Sequence, residues 1–222
     1  MELLSVIIDV AGQVAPPEEI RWLVQHRVFD ESRFHAAFAS AGRRLGRAAI
    51  GLAGAARLAE IGIPWPCTSG ADECGRAALV VIALGALAPD RHLPFVRDLI
   101  RQGELREQQA VLRVLAGLPE PARFVDLAID ACRSNVASVF EAIACDNAYP
   151  AAHCPDPALH QMVLKALFIA VPVRRIVGLP GRITPELQRM VAAFASERRA
   201  AGRPVPDDIH MFSLSLSPSH SG

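Results

Sequence analysis

The chain has few aromatic side chains and almost no lysine. Aromatic residues make up 5% of its 222 positions, with a single tyrosine, and valine or isoleucine rarely alternates with polar residues. The usual signals of β-strands are therefore missing. Lys165 is the only lysine among 23 basic residues. We attribute the abundance of arginine and alanine to a GC-rich coding bias rather than to a function.

The chain also lacks an excess of charge of either sign. Its 23 basic and 23 acidic residues give a formal net charge of zero, which argues against a dedicated nucleic-acid-binding protein. Hydrophobic residues make up 51% of the sequence, enough for a sizeable core. We expect a single all-helical domain over residues 1–212 and a disordered, serine-rich tail over residues 213–222.

Cysteine pairs, leader signals and long apolar runs are missing too. The cysteine number is odd and no CxxC pair occurs, so reduced thiols in a cytoplasmic protein are expected. The N-terminus lacks the positive region of a signal peptide. The longest uncharged apolar run, residues 77–88, is far shorter than the ~20 residues that span a bilayer. The cysteines are Cys67, Cys74, Cys132, Cys145 and Cys154.

Common signatures of enzymes are absent. The sequence contains no GxGxxG after a strand, no GxxxxGK[ST], no HExxH and no GxSxG motif, so we expect no cofactor and assign no catalytic residue. His153, Cys154, Asp156 and His160 are of metal-ligand type. Their spacing is irregular and prolines intervene, so we interpret this segment as an ordinary loop without a metal.

Helical periodicity runs through almost the whole chain. Asp30 or Ser32 is placed to cap one helix, and Thr184 followed by Pro185 is a strong helix start. Gly202 is the expected end of that last helix. Residues 62–70, rich in proline and glycine, are predicted to be a loop. The other predicted helices cover residues 2–13, a segment opened by Pro16 and Pro17, a segment ended by Gly42, and residues 45–61, 72–88 and 159–171.

The middle of the chain contains a weak internal repeat. Phe95, Val96 and Ile100 precede a helix over residues 104–115, and at an offset of 29 residues Phe124, Val125 and Ile129 precede a helix over residues 135–144. This spacing is typical of antiparallel helix pairs in a HEAT-like repeat. An irregular helical bundle gives the same spacing, so both architectures stay open.

Two charged residues lie in very apolar helices. Lys165 is surrounded by apolar residues, with Gln161 one turn away on the same face, and Glu141 lies among Ala, Val, Phe and Ile. An unpaired buried charge is costly. We therefore predict that Lys165 is partly buried and contacts Glu141 or the 146–150 loop. A structural ion pair, a lysine extending to solvent and a shared ligand pocket are the alternatives.

The C-terminal third carries a local excess of positive charge. The segment from Lys165 to Arg203 contains eight basic residues and only two acidic ones, Glu186 and Glu197. Arg174, Arg175, Arg182 and Arg189 are predicted to share one anion-binding face, because arginine makes planar, bidentate contacts to phosphate or carboxylate. The alternative is that these arginines pair with acidic residues elsewhere in the chain.

Short motifs in the second half of the chain resemble EboA-type proteins, a bacterial family. Phe38 and the segment 44–47 resemble the family more weakly, and the resemblance extends over most of the chain. The motifs, in order, are Phe140 to Ala144, Asn147, Tyr149-Pro150, Gln161 to Ala166, Arg175 to Leu179, Pro185 to Leu187, Arg189-Met190, Glu197-Arg198 and Ala200 to Val205.

The resemblance implies a place in a small gene cluster for making or exporting secondary metabolites such as scytonemin. The resemblance also implies that a UbiA-type prenyltransferase is encoded in the same cluster. The main hypothesis is a non-enzymatic binding or scaffold module whose partner is a cluster protein or an anionic or prenylated small molecule. The alternative is an enzyme or carrier acting on a phosphorylated or prenylated intermediate. The candidate ligand-binding residues are Glu141, Asn147, Tyr149, Gln161, Lys165, Arg174, Arg175 and Arg182.

Overall fold

The computed structural model describes residues 2–212, which form an all-helical bundle without a β-strand in that part of the chain. Short 3₁₀-helices lie at 115–117, 121–124, 173–175, 179–182 and 207–212. The α-helices are α1 (Glu2–Gly12), α2 (Pro17–Gln25), α3 (Glu31–Leu45), α4 (Gly51–Glu60), α5 (Ala71–Ala86), α6 (Pro89–Gln102), α7 (Leu105–Val114), α8 (Val125–Arg133), α9 (Ala137–Ala144), α10 (Tyr149–His153), α11 (Asp156–Phe168) and α12 (Pro185–Ala200).

Helix α5 is the centre of the N-terminal half. It packs against α1, α3 and α7, and its residues from Ala71 to Val80 are all buried. The helix predicted over residues 72–88 is confirmed, with both ends one or two residues earlier, and its first turns carry the charged residues Asp72, Glu73 and Arg76. Gly75 allows α3 to approach closely, because a Cβ at this position would lie 1.9 Å from Leu45 Cδ1.

The helix predicted over residues 45–61 is present only from Gly51 to Glu60, so its predicted start is wrong. α3 continues past Gly42 to Leu45, and the chain then turns at Gly46, whose φ is 73°. The next residues extend beside the 62–70 loop, with Ile50 N donating to Ser69 O at 2.9 Å. This pairing removes them from helical hydrogen bonding, so α4 begins only at Gly51. The predicted loop at 62–70 is confirmed.

The antiparallel pairs predicted between residues 90 and 145 correspond to α6 with α7 and α8 with α9. Each pair is in contact, and α7 also packs against α9. The observed arrangement agrees with a helical bundle, while a HEAT-like repeat stays a prediction.

The last helix has the predicted ends. Thr184 Oγ1 accepts a hydrogen bond from Leu187 N at 3.1 Å, Pro185 is the first helical residue, and Gly202 has a φ of 63° just after the helix. One continuous set of buried apolar side chains extends from Val6 to Phe212. The division into one domain over 1–212 stays a prediction. The tail predicted for 213–222 lies outside the described residues.

A buried network of charges joins the start of α5 to α7. Asp72 accepts bonds from Arg106 Nε and Nη2 at 2.8 and 2.5 Å and from Arg76 Nη1 at 2.8 Å. Glu73 Oε2 accepts a bond from Arg113 Nε at 3.0 Å. Burial alone would raise the pKa of Asp72, but the adjacent guanidinium groups of Arg106 and Arg76 hold it below 3.8, its ordinary value. The network thus compensates charges that are out of contact with solvent.

We expect Asp72→Asn to lower the free energy of unfolding by about 3 kcal/mol, because it removes the carboxylate that Arg76 and Arg106 share and leaves a buried excess of positive charge. Urea unfolding at neutral pH measures this. The control is Asp130→Asn, in an ion pair with Arg133 whose side chains are 74% and 76% exposed. That change should cost under about 0.5 kcal/mol. Equal losses for the two variants would contradict a stabilising role of the network.

The same variant has a predictable pH dependence. A carboxylate whose folded pKa is depressed stabilises the fold above its unfolded pKa, and this contribution disappears as the pH falls through the folded value. The difference in unfolding free energy between the unmodified protein and Asp72→Asn should therefore be constant near neutral pH and should narrow below about pH 4. Urea unfolding across this range measures the difference. A difference that widens on acidification would contradict the depressed pKa.

Candidate functional site

Two adjoining pockets lie between α11 and the α8–α9 pair, and both include Asn135 and Lys165 in their walls. We call them together the Lys165 groove. The larger pocket has a volume of about 710 Å³ and the smaller about 380 Å³. The larger pocket is lined mainly by apolar side chains and cysteines, among them Ile129, Cys132, Cys154, Ala158, Leu159 and Met162. Glu141, Arg175 and the segment Ile169 to Pro172 line the smaller pocket.

Lys165 lies where the two pockets meet. Its Nζ donates to Cys132 O at 2.8 Å and to Ser134 O at 2.6 Å, at the C-terminal end of α8. It also lies 4.9 Å from the centre of the Phe140 ring. The last carbonyl groups of a helix are partially negative and lack intrahelical donors, so they attract a cation. These contacts explain how an apolar helix tolerates a lysine, although burial lowers the pKa of Lys165.

The predicted partial burial of Lys165 is confirmed, but its predicted partner is wrong. Glu141 Oε2 accepts a hydrogen bond from Arg175 Nη1 at 2.6 Å. Arg175 Nε and Nη2 also donate to Asp146 Oδ2, at 3.1 and 2.8 Å. Burial alone would lower the pKa of Arg175, yet the bonds to Glu141 and Asp146 raise it. Glu141 pairs with Arg175 because this guanidinium contacts Glu141 and Asp146 at the same time. The ammonium of Lys165 donates to backbone carbonyl groups instead.

Two of the candidate ligand-binding residues have internal partners instead. The amide nitrogen of Asn147 donates to Leu112 O and Ala142 O at 3.1 and 2.9 Å, and Asn147 Oδ1 accepts from Tyr149 N at 3.0 Å. The hydroxyl of Tyr149 donates to Pro121 O at 2.6 Å. Both side chains are buried, and burial raises the pKa of Tyr149. These contacts hold the turn between α9 and α10 rather than a surface of the groove.

The other candidate residues are dispersed. Gln161 is exposed and lines the larger pocket one turn before Lys165. Arg182 donates to Ala151 O, to Cys154 O at 2.9 Å and to Asp156 Oδ1 at 2.7 Å. Arg174 is exposed and lines a separate pocket of about 300 Å³ beside Arg198 and Asp207.

The expected free positive face is therefore wrong for three of its four arginines. Arg175 and Arg182 have the carboxylate partners given above, and Arg189 pairs with Glu186. Anion binding at Arg174 stays a prediction. His160, one of the residues of metal-ligand type, has Nε2 3.0 Å from Thr184 Oγ1.

Sequence reasoning missed the thiols and the amide of Asn135 that line the larger pocket, although it named Gln161. Cys132 and Cys154 belong to different segments, and nothing in their spacing indicates that they share a pocket with Asn135. Burial raises the pKa of Cys132 to about 12 and also raises that of Cys154. At neutral pH both thiols are protonated and act as weakly polar wall groups. The groove therefore combines an apolar wall with the ammonium of Lys165.

A family model described as metabolite traffic protein EboA matches residues 10–213. The chain belongs to the EboA family. No curated protein and no solved structure matches it significantly. Between residues 2 and 212 of this EboA-family protein, no helix has both the length and the apolar character to cross a membrane. The resemblance seen in the sequence is thus confirmed.

A double-mutant cycle tests the ion-pair assignment in the groove. We expect Glu141→Gln and Arg175→Met to show a coupling free energy of about 1 kcal/mol, because the side chains are about one-third exposed and solvent screens the pair. Glu141→Gln and Lys165→Met should be additive within about 0.5 kcal/mol. Urea unfolding of the single and double variants gives both values. Coupling to Lys165 but not to Arg175 would contradict the assignment.

Proposed function

We propose that this EboA-family protein is a non-enzymatic binding module in metabolite traffic and that its ligand binds in the Lys165 groove. The observation that carries the proposal is the position of one ammonium group at the junction of two pockets. Small-molecule sites usually occupy roughly 300–1,000 Å³ and combine apolar walls with a few polar groups. The larger pocket, of about 710 Å³, has this size and composition.

The walls favour a ligand with an apolar body. Ile129, Leu159 and Met162 provide apolar surface, and the protonated thiols of Cys132 and Cys154 add to it. A methionine wall adapts to ligands of irregular shape. Burial of an aromatic or isoprenoid group against these side chains would supply most of the binding free energy.

The Lys165 ammonium favours an acceptor on the same ligand. Of its three N–H groups, two are donated to Cys132 O and Ser134 O. The third is available to a carboxylate, phosphate or carbonyl oxygen in the groove. A secondary metabolite or prenylated intermediate with one such group fits both halves of the site. Gln161 and Asn135 add neutral donors and acceptors to the same pocket.

The ion pair between Glu141 and Arg175 favours binding over catalysis. Glu141 would be the general base in an enzymatic alternative, but its Oε2 is held by Arg175 at 2.6 Å. Tyr149 is buried with its hydroxyl donated to Pro121 O. A cytoplasmic location and transfer of the ligand to another protein of the same gene cluster are parts of this proposal.

The dye anilinonaphthalene sulfonate tests the proposal because it joins apolar rings to an anionic group. We expect saturable binding to the native protein, with an affinity about tenfold weaker for Lys165→Met, since a hydrogen bond to a charged group contributes about 1.5–3 kcal/mol. Ala158→Trp, which places an indole ring in the larger pocket, should weaken this binding strongly. Fluorescence titration measures it, with thermal unfolding as a check on folding.

The matched control is Ala193→Trp, the same change at an exposed position of α12. It should bind the dye like the unmodified protein. Equal binding by the Ala158→Trp and Ala193→Trp variants would place the dye outside the Lys165 groove and overturn the proposal.

A further inference from the structure

The one lysine of the sequence is the residue at the junction of the groove. Every other basic side chain among the 23 is an arginine. Arginine also donates to carbonyl groups and carries the same charge. A lysine differs from it in having a compact amine that is able to lose its proton and attack an electrophile. The surroundings of Lys165 therefore bear on the chemistry of its amine.

The hydrogen bonds of Lys165 leave one direction of its nitrogen unoccupied. Nζ donates to Cys132 O and Ser134 O, and within residues 2–212 no third acceptor lies in hydrogen-bonding range. A neutral amine has two N–H groups and one lone pair. A neutral Lys165 would keep its hydrogen bonds to Cys132 O and Ser134 O, and its lone pair would point in the third direction. Lys165 lines both pockets of the groove.

The environment of the amine also makes the loss of its proton easier. Burial lowers the pKa of Lys165, and the wall of the larger pocket consists mainly of apolar side chains and protonated thiols, with Arg133 as a second cation. Glu141, the carboxylate in the smaller pocket, is paired with Arg175 and not with the ammonium. Desolvation and a neighbouring cation are two ways in which proteins activate a lysine to form a Schiff base.

We propose that Lys165 captures an apolar aldehyde or ketone as a reversible imine. The inference rests on the proposed function, because the carbonyl compound occupies the same groove. It narrows the ligand class to apolar molecules that carry a carbonyl group. The capture is a binding event with no turnover, in keeping with a carrier.

The step balances without an oxidant or reductant. The lone pair of Nζ forms a bond to the carbonyl carbon, the π electrons move to the oxygen, and one amine proton passes to that oxygen to give a carbinolamine. The carbinolamine hydroxyl takes up one proton from solvent and leaves as water while the nitrogen lone pair forms the C=N bond. The product is a protonated imine that keeps the second amine proton as its single N–H. The side-chain amides of Asn135 and Gln161 line the same pocket and are suited to hydrogen-bond the carbinolamine hydroxyl.

Formation of the imine changes the hydrogen bonds between Nζ and the carbonyl groups at the C-terminal end of α8. A protonated imine has one N–H and keeps one of the two bonds that Lys165 makes. The other carbonyl, at the end of α8, then accepts a bond from water that enters the groove. This exchange makes capture reversible, because hydrolysis restores both bonds.

Reductive trapping on the whole protein tests the proposal. The protein is incubated with hydrocinnamaldehyde and cyanoborohydride, which reduces an imine to a stable amine, and the labelled position is found by peptide mass spectrometry. We expect Lys165 in the folded protein to be labelled about tenfold faster than in urea, because the groove concentrates the aldehyde and desolvates the amine. The α-amino group of the chain is the internal reference and should show no such gain.

Two variants make the result specific to the groove. Lys165→Arg keeps the charge and the donors to α8 but forms no imine, so labelling at this position must disappear. Ala158→Trp leaves Lys165 in place and should slow its labelling to the rate found in urea, whereas Ala193→Trp should leave the rate unchanged. Labelling of Lys165 at equal rates in folded and unfolded protein would overturn the proposal.

A matched alcohol separates failure of this inference from failure of the proposed function. Hydrocinnamyl alcohol has the same apolar body without the carbonyl group. If dye binding depends on the groove and the alcohol displaces the dye, but Lys165 gains no labelling on folding, the imine is excluded and the binding function stands. If dye binding is also unchanged by Ala158→Trp, both proposals are excluded.

Discussion

The burial of two consecutive carboxylates at the start of α5 constrains much of the N-terminal half of the structure. Asp72 and Glu73 lie where a helix favours negative charge, yet both are almost completely buried. Removing charges from water costs several kcal/mol for each ion unless partners are close. Arg76 supplies one partner from the same helix, and Arg106 and Arg113 supply the others from α7. The relative position of α5 and α7 is thereby limited to arrangements that bring these groups together.

The neighbouring backbone has to leave room for this network. A Cβ at Gly70 would lie 2.4 Å from Asp72 Oδ1 and 2.8 Å from Arg106 Nη2, so no larger side chain fits there without moving the ion pair. A Cβ at Gly42 would lie 3.1 Å from Arg76 Nη2. The backbone of the extended segment after α3 donates and accepts hydrogen bonds beside Gly70. One of them runs from Asp72 N to Gly46 O at 3.0 Å. The break between α3 and α4 is thus linked to the same buried charges.

The sequence predicts local features of this fold well and non-local pairs poorly. Thr184 and Gly202 act through neighbouring backbone groups, so their roles follow from their own residue types and positions. The interruption at Gly46 depends on a segment more than 20 residues further along the chain, and helical periodicity carries no information about that contact. A stretch rich in alanine therefore predicts a continuous helix through residues 45–61, which the contact interrupts.

The same distinction explains the outcome at the candidate site. An isolated charge in an apolar helix correctly predicts that Lys165 is partly buried and bonded. Its partners are backbone carbonyl groups, which every residue has and which the sequence therefore does not mark. Glu141 and Asp146 share Arg175 as their partner, a pairing that only the spatial arrangement decides. The excess of positive charge between Lys165 and Arg203 likewise takes no account of Asp146 and Asp156. These two acids precede that segment in the sequence but pair with its arginines in the structure.

The buried network and the Lys165 groove are connected through packed helices. α7, held by Arg106 and Arg113 to α5, packs against α9, and Leu112 O of α7 also bonds the amide of Asn147. α9 in turn carries Phe140, whose ring lies beside the Lys165 ammonium, and Glu141 in the wall of the smaller pocket. A groove that selects a ligand by shape needs walls that do not move apart. The charges at the start of α5, although distant in sequence from Lys165, therefore help to hold one wall of the groove in position.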